Sequence, residues 1–137
     1  SPCFLCSRLR RRVLFEMARD YRCNKLALAH NKDDVIETFL LNIFFAREIS
    51  TMVPNQTYFK GEFNLIRPLA YIEEALLKRF AQEAQLPFLP NPCPTANTTK
   101  RQYIKDLIKK LDGDHRGIKE NIFKSMKHGK PDYLLKE

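Results

Sequence analysis

Apolar residues recur at Leu9, Val13, Met17 and Tyr21, with Leu14 and Ala18 beside them, a spacing that marks one face of a helix beginning after Cys6 and Ser7. The other face carries Arg8, Arg10, Arg11, Arg12 and Arg19, and Cys23-Asn24 ends the helix. Lys25 to Ala29 then reads as a strand, apolar enough from Leu26 to Ala29 to be buried. Immediately behind it come His30, Asp33, Asp34 and Glu37. Asp33 or Asp34 can cap a second helix, whose Val35, Ile36, Phe39, Leu40, Leu41, Ile43 and Phe44 are apolar nearly all round and so predict burial. From Arg47 to Asn64 no period holds, and Pro54 and Gly61 mark a loop with at most one weak hairpin. Leu65 to Leu69 is a second short strand.

Ile72, Leu76, Phe80 and Ala84 predict a third amphipathic helix, with Glu73 and Glu74 in its first turn where the helix dipole favours negative charge. Leu86 to Leu89 is a third strand candidate. "PNPCPTANTTK" must be irregular, because Pro90, Pro92 and Pro94 remove backbone donors and fix the chain. Thr98 or Thr99 caps a fourth helix with Tyr103, Ile104, Leu107, Ile108 and Leu111 on its apolar face, and Asp112-Gly113-Asp114 stops it. A fifth helix runs from about Gly117 to Lys127 with Ile118, Ile122 and Met126 aligned. Strands alternating with helices predict an α/β fold with a parallel sheet covered by helices on both faces. Only two or three strands are visible, where a doubly wound sheet has about five or six, so half a sheet is expected to be missing. The opening Ser1-Pro2 points the same way, to a fragment.

Composition narrows this picture. The 137 residues, 44% hydrophobic, suit one domain over 1–137, with an α/β part over 1–90 and a Cys-containing loop and helices over 91–137. No apolar stretch approaches the roughly 18 residues of a membrane helix and nothing resembles a signal peptide, so a cytoplasmic location without membrane contact is expected. A net charge of +8 and a pI near 9.5 favour a polyanionic partner: RNA, DNA or nucleotide phosphates. The glycines at 61, 113, 117 and 129 lie far apart, which excludes a Gly-rich phosphate loop within this chain. Cys3-x-x-Cys6 reads as metal-binding or redox in a cytosolic setting, and Cys23, alone between a helix and a strand, as a small buried apolar residue.

On spacing alone, His30 is a satisfied structural histidine and Asp33 and Asp34 are a helix cap. An arginine run is usually a solvated helix face. Here, however, four arginines within residues 8–12, with no acid before Glu16, repel one another unless an anion lies between them, which favours RNA backbone contact. Lys100 and Arg101 begin a helix, where cations oppose the dipole, and join the same surface.

"AHNKDDVIETFLLN" resembles the H-x-x-D-D-x-x-E/Q-T segment of the PP-loop ATP pyrophosphatases, and "CFLCSRLRRRVLFEMA" resembles the C-x-x-C-S-x-x-R-R stretch of their tRNA 2-thiocytidine synthetase branch. "LIRPLAYIEEALLKRFAQEAQLPFLP" and "CPTANTTKRQYIKDLI" follow in the order and spacing of that branch, so the resemblance spans roughly residues 3 to 128. It implies part of a doubly wound, parallel-sheet, adenine nucleotide alpha hydrolase-like (HUP-type) domain with C-terminal helices. The implied activity is ATP-dependent adenylation of a cytidine C2 oxygen in tRNA, followed by sulfur transfer from a donor protein or sulfide. His30, Asp33 and Asp34 would be catalytic and, with Glu37, would bind nucleotide and Mg2+; Thr38 would help the helix pack. Arg8, Arg10, Arg11, Arg12, Lys100 and Arg101 would bind RNA.

Cys3, Cys6 and Cys93 would hold a 4Fe-4S cluster, with zinc as the alternative. Only Cys93 stands where some members carry a second pair, followed by Pro94, Thr95 and Ala96. The family's S-G-G-x-D-S loop is absent, so the 137 residues alone are expected to bind ATP weakly, to be inactive, and to self-associate, as in a homodimer, through an uncovered edge or face. Two other classes compete: a basic RNA-binding module in which exposed Phe and Tyr clamp RNA, and a zinc-stabilised domain recruiting His115 or His128.

Overall fold

A computed structural model describes residues 2–93 and 98–136. The segment Pro94-Thr95-Ala96 lies outside the described residues. The chain forms two compact units, Ser1–His30 with Val53–Tyr71, and Asn31–Met52 with Ile72–Glu137.

The first unit contains helix α1 (Pro2–Asp20), strand β1 (Lys25–Ala27), and a hairpin of β2 (Asn55–Tyr58) and β3 (Phe63–Ile66). The sheet order is β1-β3-β2, mixed rather than wholly parallel: β1 runs parallel to β3 with Leu26 opposite Leu65, and β2 runs antiparallel to it with Thr57 opposite Asn64. As the central strand, β3 buries Phe63 and Leu65 on one face, while β1 is an edge strand of only three residues whose Leu26 is half-buried. The expected five-residue buried strand is therefore shorter and more exposed, and the second strand lies two residues earlier than its apolar run suggests. The weak hairpin is a real one. Its turn, Phe59–Gly61, holds Phe59, Lys60 and Gly61 at φ of 51°, 57° and 97°, a left-handed run in which only the glycine is at ease.

Helix α1 starts earlier than its periodicity indicates and includes both Cys3 and Cys6. Its packed side is Leu14, Phe15 and Ala18, with the Phe15 ring edge-on to Tyr58 and Phe63, both at 5.3 Å. The expected face is a neighbouring stripe: Leu9, Val13 and Met17 remain about half exposed. Cys23, expected buried, is exposed.

The second unit is helical. Helix α2 (Lys32–Leu41) packs against α4 (Lys100–Asp114) and α5 (Ile118–Ser125), burying Val35, Ile36, Leu40, Ile104, Ile108 and Phe123. At its far end α2 widens into a π-helical turn, Asn42–Ala46, and there Ile43, Phe44 and Phe45 turn outward, so the expectation of burial all round holds only for its first three turns. Helix α3 (Glu74–Glu83) forms where expected, but Leu76 and Phe80 of its predicted apolar face are exposed. Leu86 to Leu89 is not a strand; Phe88 and Leu89 are 86% and 87% exposed. Thr99 caps α4, its side chain accepting from the Gln102 N–H at 3.2 Å. Among the described residues no helix is long and apolar enough to cross a membrane.

Candidate functional site

The N-terminus of α2 is built by a reciprocal cap. Asn31, not Asp33 or Asp34, is the capping residue: its Oδ1 accepts from the Asp34 N–H at 3.1 Å, and Asp34 Oδ2 accepts from the Asn31 N–H at 2.9 Å. Asp34 thus occupies the third helical position, and Asp33 projects from the turn beside it. Asp33 Oδ2 accepts from the Glu74 N–H at 2.7 Å, tying the start of α3 to that of α2, and Asp33 Oδ1 meets Lys119 Nζ of α5. Each aspartate therefore has one oxygen taken by a backbone amide. The other faces a cation, Lys119 for Asp33 and Arg101, at 3.8 Å, for Asp34.

One turn further, Glu37 is buried, its side chain 4% exposed, and receives Arg101 Nη1 at 2.9 Å and Lys105 Nζ at 3.7 Å. Arg101 also reaches Thr38 Oγ1 at 3.3 Å. Asp33, Glu37, Lys105 and Lys119 line a cleft of about 270 Å³ together with Glu74, Lys109 and Asp112.

The electrostatics differ between the two acids. Burial disfavours the Asp33 carboxylate, but the Glu74 amide and Lys119 outweigh it and hold the carboxyl below its ordinary value. For Glu37 burial prevails over Arg101 and Lys105, and the carboxyl is raised. Lys119 is likewise disfavoured by burial, yet Asp33, with Glu73 and Asp112, lifts it above its ordinary value.

In the first unit, His30 follows β1, and its Nδ1 accepts from Arg67 Nε at 3.3 Å. Cys3 and Cys6 lie three positions apart on α1, hence on one helix face, and both are exposed; Arg10 Nη2 donates to Cys6 Sγ at 3.9 Å. Such spacing lets two thiolates reach one metal centre. Arg8, Arg11 and Arg12 fall on an adjacent face, lining a cleft of about 470 Å³ with Phe4, Ser7 and Phe15. Arg12 also pairs with Glu16 at 2.9 Å.

Cys93 belongs to the second unit and is exposed. Among the described residues, no three His, Cys, Asp or Glu side chains gather as a metal would require. Lys100 lies over the Phe45 ring at 4.7 Å, whereas Arg101 turns onto Glu37 rather than outward.

Residues 6–111 match the PP-loop domain family. The chain belongs to that family. The tRNA-cytidine(32) 2-sulfurtransferases of Polynucleobacter asymbioticus and Geobacter sulfurreducens are 39% and 38% identical to it over 98% of its length, which is 45% and 53% of theirs. This PP-loop chain therefore spans about half the length of the curated relatives it matches. It is also similar in structure to the U34-tRNA thiolase NcsA from Methanococcus maripaludis, solved with its 4Fe-4S cluster. The TM-score is 0.75 at 25% identity, covering 93% of this chain and 43% of that one.

Sequence reasoning missed three residues of this PP-loop domain. Lys119 lies beyond the matched segment, on α5, and reaches Asp33 only through the fold. Lys32, 9% exposed, opens α2 and contacts Glu120 and Glu73 while lying 4.8 Å from the Phe123 ring centre. Arg67 is 7% exposed, and its one visible signal is a charge at the end of the apolar run Leu65-Ile66.

Proposed function

We propose that this chain supplies part of an enzyme that thiolates a cytidine of tRNA at the expense of ATP. What carries the reading is the PP-loop match over 6–111 together with relatives named tRNA-cytidine(32) 2-sulfurtransferase along 98% of the chain. In this chemistry the cytidine O2 attacks the α-phosphorus of ATP, the bond to the β-phosphate breaks and pyrophosphate leaves. A sulfur nucleophile from a donor protein or free sulfide then adds at C2 and AMP departs with the former O2.

The residues have corresponding roles. Asp33 and Asp34 each keep a cation-facing oxygen, a donor set that suits Mg2+ held through water, with Lys119 standing at Asp33 in the chain alone. His30 donates to a nucleotide oxygen. Glu37, clamped by Arg101 and Lys105, fixes the helix turn that presents the aspartates. Arg8, Arg10, Arg11 and Arg12 take the RNA backbone, with Lys100 contributing from α4 and Arg101 serving RNA only if it leaves Glu37.

Cys3 and Cys6, exposed on one face of α1, would hold two positions of a 4Fe-4S cluster, and Cys93 would be the third ligand. Three cysteine ligands would leave one iron of such a cluster open to take up exogenous sulfur. Such an enzyme works in the cytoplasm, where its tRNA is; a second copy of the chain is a further candidate partner. The test is AMP release by the product of the gene encoding this chain, given ATP, Mg2+ and sulfide under anaerobic conditions. Release that depends on tRNA supports the reading, and release indifferent to tRNA refutes it.

A further inference from the structure

Along α2, Ile36 and Leu40 are buried at a four-residue spacing, and Phe44 is the next member of that stripe. It is 50% exposed instead, because the π-helical turn Asn42–Ala46 widens the backbone there and carries Phe44 and Phe45 off the packed side. The turn is built rather than frayed. The Asn42 carbonyl accepts from both the Arg47 and the Glu48 N–H, and the Asn42 side-chain amide donates to the Ser50 carbonyl and Oγ at 3.0 Å each. Arg47 closes the turn at φ 60°, a left-handed conformation that is costly for a residue with a side chain. Widened turns and strain of this kind recur at ligand sites.

The turn presents a cleft of about 520 Å³ within the second unit, lined by Phe44, Phe45, Tyr103 and Lys100, with Thr98 and Thr99 at the start of α4. Phe45, 43% exposed, stands edge-on to Phe44 and to Tyr103, both at 6.4 Å, and Tyr103 is 59% exposed. Single exposed rings are ordinary; three in a contact chain are a patch of apolar surface left in water. The Lys100 ammonium lies 4.7 Å from the Phe45 ring centre, and the first turn of α4 holds no acid. Among the described residues no carboxylate pairs with Lys100. Arg101, next in the chain, is held by Glu37, so Lys100 is the charge this cleft offers.

We propose that the cleft is a stacking subsite for one unpaired nucleotide of an RNA strand, its base lying on the exposed rings of Phe44 and Tyr103 and its phosphate on Lys100. Every base has a π-face on which such a ring stacks, and an ammonium with no acid beside it is matched by a phosphate. The same ammonium repels a cationic guest. The two half-open rings offer flat faces, which a base covers fully and an acidic peptide's side chains only in part. The subsite rests on the tRNA reading only for the choice of RNA, and it belongs to a different unit from the α1 arginines.

The experiment is a nuclear magnetic resonance titration of the chain, labelled with 13C in the rings of Phe and Tyr. The probes are a short single-stranded RNA of mixed sequence, an abasic strand of the same length and charge, and an acidic peptide containing one Tyr. Phe44→Leu, Phe45→Leu and Tyr103→Leu assign the cleft rings, and Phe59 and Tyr133, exposed outside the cleft, serve as references. A saturating upfield shift of the cleft ring protons with RNA, absent with the abasic strand and weakened about tenfold in Phe44→Leu or Tyr103→Leu, supports the subsite. Lys100→Gln should weaken it as well and lower the log-log salt slope by roughly 0.7. If one Leu variant fails to fold by its amide spectrum, the other carries the comparison. Equal shifts with the abasic strand, shifts confined to the reference rings, no shift with RNA, or undiminished affinity in the folded Leu variants overturns the proposal. Tighter saturation of the same rings by the peptide than by RNA also overturns it and assigns the cleft to a protein partner. Binding is read without ATP or sulfur, so failure here is distinct from failure of the thiolation reading.

Discussion

Replacing Arg101 by Ala removes the strongest partner of a buried acid. Glu37 would keep only Lys105, at 3.7 Å in place of a 2.9 Å contact, with its side chain still 4% exposed. A hydrogen bond to a charged group is worth roughly 1.5–3 kcal/mol, and Arg101, 40% exposed, recovers part of that by hydration, so a loss of about 1.5 kcal/mol is expected. For a chain of this size that is a melting shift of roughly 5 °C. The loss depends on pH in a definite direction. Glu37 is raised in the folded chain, so its contribution to stability is fully present below its unfolded value of 4.5 and is lost as pH rises through the folded pKa. Without Arg101 it is raised further. The deficit of Arg101→Ala should accordingly be larger at about pH 8 than at about pH 5, and should largely disappear when Glu37→Gln is the background. Urea unfolding of the four proteins at both pH values measures it. An equal deficit at both, or one that persists in the Glu37→Gln background, would refute the clamp.

Asp33 has the opposite sign: held below its ordinary value of 3.8, it stabilises above that value, and the contribution is lost as pH falls through the lower folded pKa. Asp33→Asn should cost about 1–2 kcal/mol near neutrality and flatten the acid limb of a urea stability profile, and an unchanged limb would contradict the Lys119 and Glu74 contacts. The triple change of Arg10, Arg11 and Arg12 to Ala should flatten the salt dependence of tRNA binding by a log-log slope of roughly 0.7–0.9 per lost phosphate contact. The melting temperature should barely move, since the Arg12–Glu16 pair is exposed; a collapsed melt with the slope intact would make these arginines structural. Anaerobic reconstitution with iron and sulfide should lose bound iron and absorbance in Cys3→Ala, Cys6→Ala and Cys93→Ala but not in Cys23→Ala, and full retention in Cys93→Ala would remove that residue from the centre.

The start of α2 was legible because its determinants are local: an acid-rich first turn ahead of Val35 and Ile36 marks a helix start whichever polar residue caps it. Asn31 could have been chosen over its neighbours, since a capping box needs an acid three positions on, and Asp34 is there. The partners of these acids were not legible. Glu74, Arg101 and Lys119 are 41 to 86 positions from Asp33 and Glu37, and no periodicity within a helix window reports such a distance. The β2–β3 hairpin was faint because its turn places Phe59 and Lys60, not Gly or Asn, in the left-handed region. Periodicity on α1 and α3 correctly indicated helices, but it marks a face suited to burial without naming what covers it, and Leu9, Val13, Leu76 and Phe80 remain exposed. Arg67 carries no such signal, because a lone arginine after a strand looks like a surface residue until its burial is known.

The most direct measurement of the central claim is the 2-thiocytidine content of tRNA. The gene encoding this chain would be expressed in a bacterium from which the tRNA-cytidine 2-sulfurtransferase gene has been deleted, and the tRNA nucleosides resolved by mass spectrometry. The account predicts that 2-thiocytidine returns with the parent gene and falls to the deletion background with Asp33→Asn or Cys3→Ala, while protein levels are maintained. Well-expressed parent protein that restores no 2-thiocytidine, or Asp33→Asn that restores it fully, would contradict the account.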